Sequence, residues 1–239
     1  MSSHPLNWPE ESFCLRPSTL DLTALAQEVY RLTCRTDFSA PGFCLVNLGA
    51  ALDSRAQRQL MVDLKQALAA LHETRTASTL VYQSAGRFDQ QKSTGFHRDG
   101  GPAESLLMLG YEPTGVKAEV SLADFSRFAR DLGLTPEAYL SQHSPLSPPS
   151  REQLQPYTTH LPSFAKTDFQ ILCVNNSCLP LSSDQPGWQG VFHSALILTP
   201  DATQQRVINS TQIATAPKGT PDALTEDELQ TFITTTQVL

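Results

Sequence analysis

The chain has 239 residues, of which 40% are hydrophobic and 17% charged, and its formal charge is −7. Such a length fits one domain with additions or two small ones, and the composition is that of a packed chain rather than a disordered one. The acidic balance excludes a non-specific polyanion binder, because phosphate contacts need a basic surface, so no nucleic-acid partner is expected.

Residues 1–18 are polar, carry Pro5, Pro9 and Pro17, and read as a loosely held arm. They contain no apolar segment like that of a signal peptide, and no run in the chain has the length of a membrane span, so a soluble cytoplasmic protein is expected. Leu22, Leu25, Val29 and Leu32 recur at helical spacing behind Asp21, a plausible cap. Pro41 and Gly42 end that pattern, and residues 42–49 (GFCLVNLG) form a short apolar strand. Asp53 or Ser54 then caps a second helix with Leu60, Met61, Leu64, Leu68 and Leu71 on one stripe.

Short strands follow at Thr79–Gln83, Gly95–Asp99, Ser105–Tyr111, Val116–Val120, Asp168–Val174, Val191–Leu198 and Arg206–Ala214. Many short strands separated by turn residues point to a sandwich or barrel. Residues 121–165 interrupt them. Ser121 is placed to cap a helix carrying Leu122, Phe125, Phe128 and Leu132, and Thr135 with Pro136 starts another turn. Residues 143–162 hold five prolines and are expected to be irregular. The interruption reads as an insertion or lid over a site mouth. Thr225 and Glu228 match a capping box that opens a terminal helix. Five cysteines, with no CxxC pair among them, argue for buried reduced thiols rather than a disulfide framework.

The chemistry concentrates in FHRDGG, residues 96–101. Residues i and i+2 of a strand share a face, so His97 and Asp99 supply an imidazole and a carboxylate to one side. These are two of the three donors of a 2-His-1-carboxylate iron site. His193 lies in GVFHSALILTP, an otherwise apolar strand, where an imidazole must find a partner for its nitrogens. Taken singly, His193 also fits a core histidine bonded to a carbonyl. Arg206, thirteen residues on, starts the next strand and is placed to hold a dicarboxylate by a two-pronged salt bridge.

This ordered pattern of His-x-Asp, a distant histidine and an arginine thirteen residues later resembles that of the iron(II)- and 2-oxoglutarate-dependent oxygenases. The resemblance covers roughly residues 20–215. It implies a mainly β fold with flanking helices, a double-stranded β-helix (jelly roll) forming a single domain over residues 1–239. It further implies that His97, Asp99 and His193 bind Fe(II), and that Arg206 binds the distal carboxylate of 2-oxoglutarate. Many members carry a hydroxyl residue two positions after the arginine, where this chain has Ile208; Ser210 and Tyr82 are the substitutes considered. The implied activity is hydroxylation of a small-molecule or amino-acid-like substrate with dioxygen. Two alternatives remain open: a cupin-like metal protein without 2-oxoglutarate, recruiting Glu104 beside His97, and a non-catalytic β-sandwich binding module. His160 is the reserve ligand should His193 fail; Gly86, Arg87 and Trp188 are candidate pocket borders.

Overall fold

A computed structural model of the chain describes residues 6–142, 148–164, 166–182 and 186–239. In chain order the elements are β1 (Cys14–Leu15), α1 (Leu22–Thr33), β2 (Phe43–Gly49), α2 (Ser54–Arg75), β3 (Ser78–Asp89), β4 (Thr94–His97), β5 (Ser105–Tyr111) and β6 (Lys117–Ala123). There follow α3 (Phe125–Asp131), α4 (Pro136–Gln142), α5 (Pro148–Leu154), β7 (Thr158–His160), β8 (Phe169–Asn175), β9 (Phe192–Thr199), β10 (Val207–Pro217) and α6 (Glu226–Thr234).

Of the eight strands from β3 to β10, four (β3, β5, β8 and β10) lie in the larger of two sheets and four (β4, β6, β7 and β9) in the smaller. The larger sheet runs β1-β2-β8-β5-β10-β3 and the smaller β4-β9-β6-β7. Counting from β3, the orders are 1-8-3-6 and 2-7-4-5, the winding of a double-stranded β-helix, with β2 and β1 added beyond β8. The chain builds four layers on that frame. Helices α1, α2 and α6 cover the outer face of the larger sheet, where Val29, Met61, Leu64, Leu68 and Phe232 meet Leu80, Tyr82, Leu106, Met108 and Ile213. Between the sheets lie Leu45, Leu107, Leu109, Val120, Leu122, Leu172 and Ile208. Phe125, Phe128, Ala129, Tyr139 and Leu154 pack with Phe192 on the far side of the smaller sheet. Period-two alternation thus sends Leu106 and Met108 of β5 to the helices and Leu107 and Leu109 to the interior.

Local chemistry sets the helix starts. Asp21 accepts from the backbone N–H of Thr23 and Ala24, Asp53 from that of Ala56, and Thr225 with Glu228 forms the capping box.

Several boundaries differ from the expectations. The arm is docked from Trp8, whose N–H donates to Thr159 Oγ1 at 2.9 Å; further on, β1 pairs in parallel with β2, and Phe13 is buried against the Phe43 ring, 5.1 Å between centroids. Ser121 and Leu122 belong to β6; the cap of α3 is Asp124, which accepts from the Arg127 N–H. The proline-rich stretch holds a helix, α5, because Pro148 and Pro149 occupy its first turn, where an absent N–H costs nothing. Residues 143–147 of that stretch, and His4 and His143, lie outside the described residues. The strand β3 runs on past the expected end at Gln83 and takes in Gly86 and Arg87. Among the described residues no helix is long and apolar enough to cross a membrane.

The insertion is riveted to the frame by one buried ion pair. Arg35 donates to Asp124 Oδ1 at 2.5 Å, to the Ala40 carbonyl at 2.8 Å and to the Gln189 carbonyl at 3.0 Å. Both side chains are nearly inaccessible, at 1% and 5% exposure. Removing one partner strands the other charge without solvent. Arg35→Ala should therefore lower unfolding stability by about 3–5 kcal/mol in urea denaturation. Arg16→Ala, whose partner Glu10 is exposed, should leave the transition midpoint in place.

Candidate metal centre

The strand β4 is antiparallel to β9, and the register sets His97 directly opposite His193. Their rings lie 4.1 Å apart between centroids. Asp99 sits two residues past the end of β4, so its carboxylate comes from the turn and not from a strand face as expected. Its Oδ1 lies 3.3 Å from His97 Nε2 and 3.7 Å from His193 Nε2. One ligand atom from each of the three residues falls within 4.8 Å of the other two. Two ligands bound at about 2.1 Å and at right angles are themselves about 3 Å apart, so this set needs little movement to grip one ion.

Hydrogen bonds prepare the donors. His97 Nδ1 donates to the Gly95 carbonyl at 2.8 Å, which leaves the lone pair on Nε2, beside Asp99. Burial, then the nearby His97, push the His193 pKa down to about 4, so this ring is a neutral donor near pH 7. The Asp99 carboxylate beside Nε2 favours a second proton on the ring and so raises the His97 pKa, while the imidazole lowers that of Asp99; an ion at this point competes with that proton for Nε2.

The turn that presents Asp99 is clamped by Asn176, a fully buried residue just past β8. Asn176 Oδ1 accepts from the Asp99 N–H at 3.0 Å, and its Nδ2 donates to the Asp99 carbonyl at 3.1 Å. Arg98 points away from the ligands and donates to the Asn176, Gly101 and Pro102 carbonyls. Gly101 has φ +138°, and a Cβ there would collide with the Gln212 side chain, which itself donates to the Gly100 carbonyl.

The three donors open into a cavity of about 240 Å³, whose lining also includes Arg206, Tyr111, Lys92, Leu109, Ile208 and Ser210. Arg206 immediately precedes β10 and shares its inward parity with Ile208 and Ser210. Its guanidinium is 2% exposed, donates through Nη1 to the Gln90 carbonyl at 2.9 Å, and lies 5.2 Å from the centre of the Tyr111 ring. Its Nη2 is buried with no hydrogen-bond partner among the described residues. Burial raises the Tyr111 pKa despite the guanidinium, so the phenol keeps its proton. A larger cavity of about 330 Å³ shares Tyr111 and Arg206 as a wall but contains none of the three donors.

Other candidates fall elsewhere. Tyr82 does not line the cavity: its place on β3 turns it to the helix layer, with Lys65 Nζ 4.5 Å from its ring centre, which removes it as a co-substrate partner. Glu104 accepts from the Trp188 N–H and the Thr215 hydroxyl, away from His97. His160 bonds the Ser121 hydroxyl at 2.8 Å and takes no part in the triad. Trp188 packs edge-on against Tyr30 and His72 in the helix layer. Arg87 is tied to Glu112 and the Thr236 carbonyl. None of the described residues between 121 and 165 lines the cavity; Phe125, Phe128, Tyr139 and Leu154 of that segment pack with Phe192 behind the ligand strands. Sequence reasoning missed Tyr111, Lys92 and Asn176. The polar run Asn175-Asn176-Ser177 at the end of an apolar strand was the one available signal for the clamp.

Searches of family models and of curated proteins find no match for this chain. Among solved structures, it is similar to the Kdo hydroxylase KdoO, a non-heme Fe(II) α-ketoglutarate-dependent dioxygenase in complex with cobalt(II). That likeness has a TM-score of 0.44 at 8% identity and covers 84% of this chain and 88% of that one. It is also similar to the iron and α-ketoglutarate-dependent endoperoxidase NvfI, with TM-score 0.41, 13% identity, and 80% and 82% covered. A third similarity is to the non-heme iron oxygenase OrfP, with TM-score 0.32, 12% identity, and 86% and 94% covered. These scores describe a loose likeness in outline, and the fold assignment rests on the strand order itself.

If Asn176 holds the carboxylate in place, Asn176→Ala should weaken Co(II) binding about 10- to 100-fold in an equilibrium titration. His160→Ala should leave the Co(II) affinity unchanged.

Proposed function

We propose that the chain is an Fe(II)- and 2-oxoglutarate-dependent dioxygenase that hydroxylates a small organic substrate. One observation carries the reading: two imidazoles and a carboxylate in bonding reach of one ion share a cavity with a buried guanidinium whose Nη2 has no hydrogen-bond partner among the described residues.

The donor set fits the metal. Two neutral imidazoles and one carboxylate on a single face are the ligand class of non-haem iron oxygenases, and they leave adjacent positions open. The bound ion and 2-oxo acid together supply the chemistry that couples decarboxylation of the acid to oxidation of a C–H bond. This chain's residues bind and orient. One carboxylate against a divalent ion leaves net positive charge at the centre, which favours an anionic chelator. Arg206, held to Gln90 and stacked on Tyr111, presents Nη2 to the distal carboxylate with little ordering left to do. The protonated Tyr111 phenol and the Ser210 hydroxyl are among the groups on the cavity wall suited to donate to that carboxylate. Leu109, Ile208 and Ala195 provide an apolar wall that limits water. The presence of Asp99 favours hydroxylation over halogenation, because a halide would take the carboxylate's position. The cupin-like alternative loses its extra ligand, since Glu104 is bonded elsewhere.

Anaerobic addition of Fe(II) and 2-oxoglutarate to the purified protein should produce a weak visible charge-transfer band, absent in His97→Ala and His193→Ala. Arg206→Ala should weaken 2-oxoglutarate binding by about 10- to 100-fold while Fe(II) affinity stays within about twofold. Succinate release under air is the turnover readout. A wild-type protein that binds neither component sinks the proposal.

A further inference from the structure

Although the chain as a whole carries a formal charge of −7, the lining of the metal cavity has the opposite balance. It includes two basic side chains, Lys92 and Arg206, and a single carboxylate, that of Asp99. Asp99 belongs to the metal and Arg206 to the co-substrate in the reading above. Lys92 remains, and no carboxylate among the described residues pairs with it.

Its position is built rather than incidental. Residues 89–94 form the rim between β3 and β4, and each of Lys92's neighbours there is tied to the segment 195–206. Asp89 Oδ1 accepts from the Arg206 N–H at 2.9 Å, and Gln90 exchanges two bonds with Arg206. Gln91 donates to the Gln204 carbonyl and accepts from the Asp201 N–H. Ser93 accepts from the Ile197 N–H and Thr94 from the Ala195 N–H. Gln90, Lys92 and Thr94 of this run line the cavity, and of the three only Lys92 has no hydrogen-bond or ion-pair partner among the described residues. The same rim therefore fixes Arg206 in place and presents a second, uncommitted cation beside it. Phe88, half-exposed, and Ala195 add apolar surface at that level.

We infer that the primary substrate is a small organic acid with a hydrocarbon portion, whose carboxylate is received by Lys92. This rests on the oxygenase reading, because it assigns Arg206 and Asp99 to other partners. Lys92 is exposed but lies on the wall of a concave site, where a cation attracts an anion more than the same charge on a flat surface does.

The test uses the protein loaded with Zn(II) and N-oxalylglycine, and three probes of one shape: hexanoate, hexanamide and hexylammonium. Affinities are read by saturation-transfer NMR titration. Wild type should bind hexanoate about fivefold more tightly than hexanamide. Lys92→Gln should erase that preference, and Lys92→Glu should invert it toward hexylammonium. Both variants should keep Zn(II) affinity within about twofold, since Lys92 touches no metal donor. A preference that survives Lys92→Gln overturns the inference, as does a loaded wild-type protein indifferent to hexanoate. A wild-type protein that takes up neither Zn(II) nor N-oxalylglycine overturns the oxygenase reading, and this one with it.

Discussion

The pairing of a four-residue strand with its neighbour governs the site. His97 and His193 are far apart in the chain, and nothing local brings them together; the antiparallel match of β4 with β9 does. That match is shored up from behind. Phe192 stacks on Phe125 of α3 at 4.1 Å with the rings nearly parallel, and Phe96 packs into the same cluster. Each ligand histidine thus has an aromatic neighbour in sequence pointing to the opposite face. The insertion helices bear on those aromatics, and the Arg35–Asp124 pair fastens the first of them to the loop after α1.

The third donor is held by different means. Asp99 stands in a turn, where strand geometry no longer restrains it, and the chain compensates with side-chain bonds to its backbone. Asn176 engages both the N–H and the carbonyl of Asp99, while Arg98 and Gln212 tie neighbouring turn carbonyls. Asn176 extends from the strand β8 in the larger sheet, so the carboxylate is referenced to one sheet and the imidazoles to the other. The relative placement of the two sheets, set by the interior layer of Leu107, Leu109, Leu122 and Leu172, therefore enters the metal geometry directly.

Much of this was legible in the chain itself, for physical reasons that also mark the limits. Alternation of apolar residues exposed the strands, and helix caps at Asp21, Asp53 and Thr225 were readable because capping is local. His97 and Asp99 stood out through spacing, and Arg206 through order. Tyr82 misled because strand parity relative to the core depends on which face the helices cover, which no local pattern states. The helix α5 was hidden by prolines that forbid a helix interior but suit its first turn. Asn176 and Lys92 escaped because their roles exist only across the fold: one bonds a residue 77 positions away, and the other is defined by what fails to pair with it.

The alternation of Phe96 with His97 and of Phe192 with His193 makes the two strands self-proofreading. A slip of β4 by a single residue would expose Phe96 to the lumen and drive an imidazole into the aromatic plate under α3, unpaired and dehydrated. Mispairing thus incurs its penalty twice, once as misplaced grease and once as a stranded ring nitrogen. The short edge strand, with few backbone bonds of its own, owes its single setting to that doubled veto.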